Sequence, residues 1–165
     1  MDARDELTGW LRDAYAMERA LETTLKKISQ SEKHPEECRA ACGKHLIETQ
    51  QHARTVESLL KTLATETSTI KTGISVLVET MKDVSVAIAH DHLVKEMIAS
   101  YASEHLEIAC YQAIVVASEK AGLPHVADAC RQIILDEKNM AETIGNMLPG
   151  IVRFYLAEGA LGKAA

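Results

Sequence analysis

The sequence lacks the features that would direct its 165 residues to a membrane or a nucleic acid. No apolar run reaches the roughly 18 residues that a membrane-spanning helix needs, and the first residues place no cationic stretch before an apolar one, as a signal peptide would. Basic residues are scattered and the net charge is −6, so no basic surface for nucleic acids or anionic membranes is expected. We therefore expect one soluble domain over residues 1–165, located in the cytoplasm, with no nucleic-acid or membrane partner.

Cysteine is scarce, and its spacing does not match a zinc site. The four cysteines are Cys38, Cys42, Cys110 and Cys130, and no C-x-x-C pair occurs among them, which argues against a four-cysteine zinc site. Cys38 and Cys42 lie one helical turn apart and resemble small core residues. Without a secretory signal, we expect all four to be reduced thiols that are mostly buried.

Signals for β-strands are also missing, and the pattern that remains is helical. No segment alternates cleanly between apolar and polar residues, and only three prolines and eight glycines interrupt the chain. Apolar residues recur instead at spacings of three and four, as on one face of an α-helix. This periodicity predicts four long helices, over residues 7 to about 31, 35 to about 63, 94 to 115 and 126 to 147.

Turn residues separate these helices and set their order in space. Short turns near residues 33 and 122 make each neighbouring pair antiparallel, whereas the segment over residues 65–90 is long enough to return the chain along the bundle. Residues 74–81 are expected to form a short helix within it. Pro149-Gly150 is expected to end the fourth helix, and residues 151–157 to form a last short one. The sequence thus predicts an all-α four-helix bundle of two antiparallel hairpins with a long crossover, plus short extra helices.

Each of the four apolar seams is interrupted near its middle by a glutamate. The positions are Glu18, Glu48, Glu104 with Glu107, and Glu137. Partners in an antiparallel hairpin face each other when they lie equally far from its turn. Glu18 and Glu48 are equidistant from the turn near residue 33, and Glu107 and Glu137 from the turn near residue 122. The glutamates are therefore predicted to converge at one height in each hairpin.

Five core glutamates at one level must be neutralised. Burying an unpaired carboxylate costs several kcal/mol, and like charges at close range raise one another's pKa. A buried lysine or arginine explains a single core glutamate, but few basic residues occupy seam positions. Divalent cations with carboxylate and imidazole ligands fit better, as in the carboxylate-bridged iron or manganese pairs of other helix bundles. The pattern predicts a dinuclear iron or manganese site.

The histidines beside these glutamates have alternative roles. His52 follows Glu48 by four residues, so both can face one site, although a lone core histidine is usually a hydrogen-bonded structural residue. His45 precedes Glu48 by three residues. We expect it to contact a metal-binding side chain rather than to bind the metal itself. Whether His45 or Gln51 joins the site is left open by the sequence.

Two tyrosines and a further histidine lie near the predicted site. Tyr15 and Tyr101 each lie three residues before a seam glutamate. Each tyrosine could donate a hydrogen bond to a metal-binding residue, take part in redox chemistry, or simply pack in the core. Packing is the expectation for both. His105 is off the seam, so we expect it at the surface.

Four short motifs occur in order along the chain. They read D-A-Y-A-M-E-R-A-L at residues 13–21, H-L-I-E-T-Q-Q-H at 45–52, E-H-L-E-I-A-C-Y at 104–111 and D-E-K at 136–138. From about residue 5 to residue 147, the chain resembles the YciE/YciF-like branch of the ferritin-like superfamily. The resemblance implies a rubrerythrin-like bundle, often dimeric, that is linked to bacterial stress responses. It also implies that the glutamates at the motif positions are candidate ligands: Glu18, Glu48, Glu104, Glu107 and Glu137.

Two function hypotheses follow. In the first, the chain is a dimetal-carboxylate protein that binds iron or manganese and reacts with dioxygen or peroxide. Its metal ligands would be Glu18, Glu48, His52, Glu104, Glu107 and Glu137, with Glu48 and Glu137 bridging the two ions. In the second, it is a non-enzymatic structural or stress protein with a residual metal site. Both hypotheses include a homodimer, and the sequence names no substrate and does not decide whether a reaction is catalysed.

Overall fold

The computed structural model describes residues 3–66 and 93–161, which form four α-helices. They are α1 (Ala3–Ser29), α2 (Glu36–Glu66), α3 (Leu93–Lys120) and α4 (Pro124–Leu161). Neither segment contains a strand, and no helix within them is long and apolar enough to cross a membrane. The prediction of an all-α fold is confirmed. The predicted short helix over residues 74–81 lies outside the described residues.

The turn between α3 and α4 is fixed by its own sequence. Gly122 has a φ of 71°, a backbone conformation that other residues rarely adopt. Its N–H donates to the carbonyl of Glu119, and the N–H of Leu123 donates to the carbonyl of Ser118. These two bonds are the Schellman motif that ends many helices. Pro124 then occupies the first position of α4, where its missing N–H costs nothing.

The helices are arranged as two antiparallel hairpins. α1 packs against α2 and α3, and α4 packs against α3 and α2. In the turn after α1, His34 Nε2 lies 2.9 Å from Glu96 Oε2 in the first turn of α3, so α3 begins at the end of the bundle where α1 ends. Glu66 and Leu93 consequently lie at opposite ends of the bundle. This is the topology predicted for one long crossover.

A polar layer divides the apolar core into two parts. The first cluster includes Leu7 and Leu11 of α1, Val56 and Leu63 of α2, Tyr111 and Ile114 of α3, and Val126, Cys130 and Ile133 of α4. The second cluster includes Leu25 and Ile28 of α1, Cys38 and Cys42 of α2, Met97 of α3, and Met140, Ile144 and Ile151 of α4. Along every helix, the buried glutamates or histidines lie between these two sets. Apolar packing therefore encloses the polar layer from both ends of the bundle.

The fourth helix does not end at Pro149-Gly150, and this prediction was wrong. α4 continues to Leu161 with Pro149 inside it. An internal proline costs a helix about 3 kcal/mol, because its ring displaces the backbone and it lacks an N–H donor. Ile151 beyond it is fully buried in the second cluster, and burying such a side chain contributes about 1.5–3 kcal/mol. Tertiary packing thus carries the helix past the proline, and the predicted last short helix is a continuation of α4.

Candidate metal centre

Six polar side chains from all four helices form the middle layer of the bundle. α1 supplies Glu18, α2 supplies His45 and His52, α3 supplies Glu104 and Glu107, and α4 supplies Glu137. We call these six residues the central cluster. None is more than 3% exposed. The two histidines are seven residues apart, which is two helical turns, so both project from the same face of α2.

Two groups of potential ligand atoms occur within the central cluster. Glu18, His52 and Glu137 form one group, and His45, Glu104 and Glu137 form the other. Within each group the ligand atoms lie within 4.8 Å of one another. Glu137 is common to both groups: its Oε1 lies 2.9 Å from His52 Nδ1, and its Oε2 lies 3.2 Å from His45 Nε2. A carboxylate with one oxygen directed to each group has the position of a bridging ligand.

Each histidine uses its other nitrogen to contact a carboxylate at the edge of the bundle. His45 Nδ1 lies 3.0 Å from Glu48 Oε2, and His52 Nε2 lies 3.2 Å from Asp136 Oδ2. The Glu48 and Asp136 side chains are 29% and 43% exposed. Histidines that bind metals almost always have a carboxylate, carbonyl or water on the second ring nitrogen, because this contact fixes the ring and its tautomer. Both imidazoles are therefore held with one nitrogen towards the central cluster.

Tyr111 completes the contacts of Glu18. Its hydroxyl donates to Glu18 Oε1 over 2.6 Å, and its ring is fully buried. The two tyrosines singled out by sequence do not contact the cluster in this way: Tyr15 packs half-buried against the first cluster, and Tyr101 is 39% exposed beside His105. The signal for Tyr111 was its position on the α3 seam, four residues after Glu107.

The carboxylates of the central cluster have few hydrogen bonds. Among the described residues, six of their oxygens and Nδ1 of His52 form no aligned hydrogen bond, although an imidazole nitrogen lies 2.9–3.2 Å from both oxygens of Glu137 and from Glu104 Oε2. The six oxygens are Glu18 Oε2, Glu104 Oε2, both of Glu107 and both of Glu137. Leaving a buried polar atom without a partner costs about 1–3 kcal/mol, and more when it is charged. So many buried acceptors without an aligned hydrogen bond at one level are compatible with a cation site.

Burial and proximity shift the pKa values of the central cluster in opposite directions. Burial, with the neighbouring glutamates, raises the pKa of Glu104 to about 8 and that of Glu107 well above its usual range. Burial also favours a higher pKa for Glu137, but His45 and His52 outweigh it and lower that pKa to about 2. Burial lowers the pKa of both imidazoles, yet the carboxylates outweigh it and raise His45 to about 11 and His52 to about 10. In the absence of a bound cation, protons on both imidazoles and on Glu107 reduce the net negative charge of the central cluster.

The structure brings together most of the residues that the sequence singled out. Glu18, His52, Glu104 and Glu137 lie in the two ligand groups. Glu107 is buried beside them but belongs to neither group, and Glu48 lies at the edge, contacting His45 and Lys44 rather than Glu137. His45, which the sequence left open, faces the central cluster. Gln51 is exposed and bonded to Arg54. Asp136 and Tyr111 were missed, and the roles of all these residues as metal ligands stay predictions.

Comparison with known proteins places the chain in a family. The sequence profile of the family described as Domain of unknown function (DUF892) matches residues 2–157. The chain belongs to the DUF892 family. The description of this family names no activity, so the chemistry of this DUF892 protein is inferred from the residues of its central cluster.

Three solved structures resemble this DUF892 protein over most of its length. A protein from Xanthomonas campestris pv. campestris is 34% identical, with a TM-score of 0.79 over 97% of this chain and 99% of that chain. The Escherichia coli stress protein YciF is 20% identical, with a TM-score of 0.73 over 92% and 97%. YcfI from Rhodopseudomonas palustris is 19% identical, with a TM-score of 0.74 over 88% and 94%. The shared fold of YciF confirms the resemblance to the YciE/YciF-like proteins.

Proposed function

We propose that the central cluster binds a pair of iron or manganese ions and that the protein is a dimetal-carboxylate protein of the bacterial stress response. Glu18, His52 and Glu137 would hold one ion, and His45, Glu104 and Glu137 the other. The observation that carries this proposal is the shared position of Glu137, which belongs to both ligand groups. One of its oxygens faces the imidazole of each group, and neither forms an aligned hydrogen bond with a described residue. Carboxylate and imidazole ligands suit both metals.

The alternative explanation for the central cluster is a structural ion-pair network. Buried ion pairs are stable only when hydrogen bonds satisfy the remaining oxygens and N–H groups. Here Glu107 has no hydrogen-bond partner within the described part of the chain for either oxygen, and His52 Nδ1 lies 2.9 Å from Glu137 Oε1 without the alignment of a hydrogen bond. A cation between these groups would use the same lone pairs. The geometry therefore supports a metal site better than a structural network.

Bound iron or manganese would supply one-electron chemistry towards dioxygen or peroxide. The chain's own residues would set the conditions for it. Asp136 and Glu48 orient the two imidazoles, and the Tyr111 hydroxyl holds Glu18 and lies close enough to deliver a proton to it. The two apolar clusters exclude water on either side. The name of the E. coli relative, a stress protein, is what suggests the physiological setting that we propose for this chain.

Elemental analysis of matched variants tests this function. After expression in medium with iron and manganese, and purification without chelator, we expect one to two ions per chain, as in other dimetal bundles. Glu137→Gln removes the charge that both groups share and should reduce the content to less than about a tenth of an equivalent. Glu142→Gln is the control, because Glu142 is exposed on the same helix and its variant should load like the wild type.

Two outcomes contradict parts of the proposal. Wild-type protein with less than about a tenth of an equivalent, or equal loading of Glu137→Gln and Glu142→Gln, would disprove the dimetal site. Normal loading without any consumption of added peroxide by the metal-replete protein would leave the site but overturn the redox function. It would favour the non-enzymatic stress protein.

A further inference from the structure

Three buried sulfur-containing side chains lie near one another in the second cluster, and the nearest of them in sequence, Cys42, is one helical turn from His45 of the central cluster. Cys38 Sγ lies 3.2 Å from Met97 Sδ, and the thiol of Cys42 is within hydrogen-bonding reach of Cys38. We call these three residues the sulfur triad. All are 0% exposed. Two come from α2 at a spacing of four residues and the third from α3, so the tertiary fold is needed to bring the three sulfurs together.

Apolar core packing alone does not explain why three sulfur-containing side chains are neighbours. A thiol is only a weak hydrogen-bond donor and a thioether a weak acceptor, so their mutual contact adds little that a leucine or valine would not. Cys130, which is equally buried in the first cluster, shows how a packing cysteine is placed in this bundle: among aliphatic side chains. The sulfur triad differs because Cys38 lies beside two other sulfur atoms, the thioether of Met97 and the thiol of Cys42.

We propose that Cys38, Cys42 and Met97 bind one cuprous ion, in a site separate from the dimetal centre. Thiolate and thioether ligands select soft monovalent copper, whereas carboxylates select harder divalent ions. The bundle thus offers soft ligands at one level and hard ligands at the next. This site does not depend on the proposed function of the central cluster.

The spacing of the sulfurs is close to what the ion requires. Metal–sulfur bonds of about 2.3 Å in a trigonal arrangement place two sulfurs about 4.0 Å apart. The 3.2 Å between Cys38 Sγ and Met97 Sδ would have to widen by less than an ångström, which the three flexible side-chain bonds of Met97 allow. On binding, the ion replaces the two thiol protons, which pass to solvent. No electron is transferred, because copper enters and stays in its cuprous form.

Titration with cuprous ion under anaerobic conditions, in competition with a chromophoric chelator, tests this proposal. Reduced wild-type protein should retain one cuprous ion per chain against the chelator and gain thiolate-to-copper absorption in the near ultraviolet. The Cys38→Ala/Cys42→Ala variant should lose both signals, and Met97→Leu should bind at least tenfold more weakly. Cys130→Ala is the matched control for removing a buried thiol and should behave like the wild type.

The outcomes separate this site from the dimetal centre. Retention of cuprous ion by Glu137→Gln, as tightly as by the wild type, would support two independent sites. Wild-type protein that yields all its copper to the chelator, or a Cys38→Ala/Cys42→Ala variant that is folded by circular dichroism and still retains one equivalent, would overturn the sulfur site whatever the content of divalent ions. Failure of iron and manganese loading with normal copper retention would disprove only the proposed function.

Discussion

Glu107 is the most costly residue of the central cluster in the absence of metal. It is 1% exposed, and within the described residues neither of its oxygens has a hydrogen-bond partner. Burial, followed by the charges of Glu137 and Glu18, raises its pKa well above the usual 4.5. The folded protein therefore holds a proton that the unfolded chain releases above that pH. Stability from this group consequently falls as pH rises above about 4.5.

Replacing Glu107 with leucine should therefore stabilise the metal-free protein. Substituting buried ionisable groups by apolar residues of similar volume is often neutral or stabilising by about 1–4 kcal/mol. We expect a gain in this range at pH 8 and a smaller gain at pH 5, because the wild-type penalty from Glu107 grows with pH. Urea denaturation of chelator-treated wild type and Glu107→Leu at both pH values measures it.

Glu48→Leu is the control for this prediction. Glu48 is half-buried and contacts both His45, over 3.0 Å, and Lys44, over 3.2 Å. Its removal relieves no buried carboxylate and deprives His45 of a partner, so no stabilisation is expected. A metal-free Glu107→Leu protein that is less stable than the wild type by more than about 2 kcal/mol would show that Glu107 is paired with a buried basic group rather than buried at a cost.

At the scale of a helix, two glycines have opposite roles. Gly9 lies inside α1, whereas Gly122 has a φ of 71° in the turn after α3. A Cβ atom added at either position meets no atom of the described residues within 4 Å. Backbone conformation alone therefore decides what alanine does. Gly9→Ala should stabilise by about 0.5–1 kcal/mol, since glycine weakens a helix interior. Gly122→Ala should destabilise by about 1–2 kcal/mol, since alanine avoids the left-handed region.

Thermal or urea denaturation of the two glycine variants measures the difference. Because both additions meet open space, packing differences do not complicate the comparison. Equal effects of the same sign would contradict the explanation based on φ and would mean that the α3–α4 turn can adopt another conformation.

Helical periodicity also explains the position of Glu48. The buried face of α2 in the middle of the bundle passes through His45, Thr49 and His52, and Thr49 is only 1% exposed. Glu48 lies about 100° around the helix from Thr49, because each residue advances the helix by that angle. Sequence periodicity placed Glu48 on the buried seam. The three-dimensional fold places the threonine on it and the glutamate at its edge.

At the scale of the whole molecule, we expect a homodimer. Phe154 and Leu156 are 41% and 63% exposed near the end of α4, and exposed apolar side chains grouped on one element are typical of an interface. Light scattering at micromolar concentration should give twice the chain mass of 18.1 kDa. Leu156→Lys should shift the protein towards the monomer. A monomer mass at every concentration, in wild type and variant alike, would disprove the dimer.

The helices, their hairpin pairing and the level at which the glutamates meet can be predicted from local sequence signals. These features depend on local signals, such as Gly122-Leu123-Pro124, and on periodicity, which is a property of single helices. Glu18, Glu104, Glu107 and Glu137 were identified in this way because a carboxylate in an apolar seam is conspicuous.

Which side chains touch depends on the tertiary structure. It placed His45 in the cluster, moved Glu48 to the edge, directed Tyr111 to Glu18 and carried α4 past Pro149. Each of these depends on how far one helix is rotated and shifted against the next. A single helix's periodicity does not fix that rotation. A difference of one residue, about 100° around the helix axis, separates the buried Thr49 from the partly exposed carboxylate of Glu48.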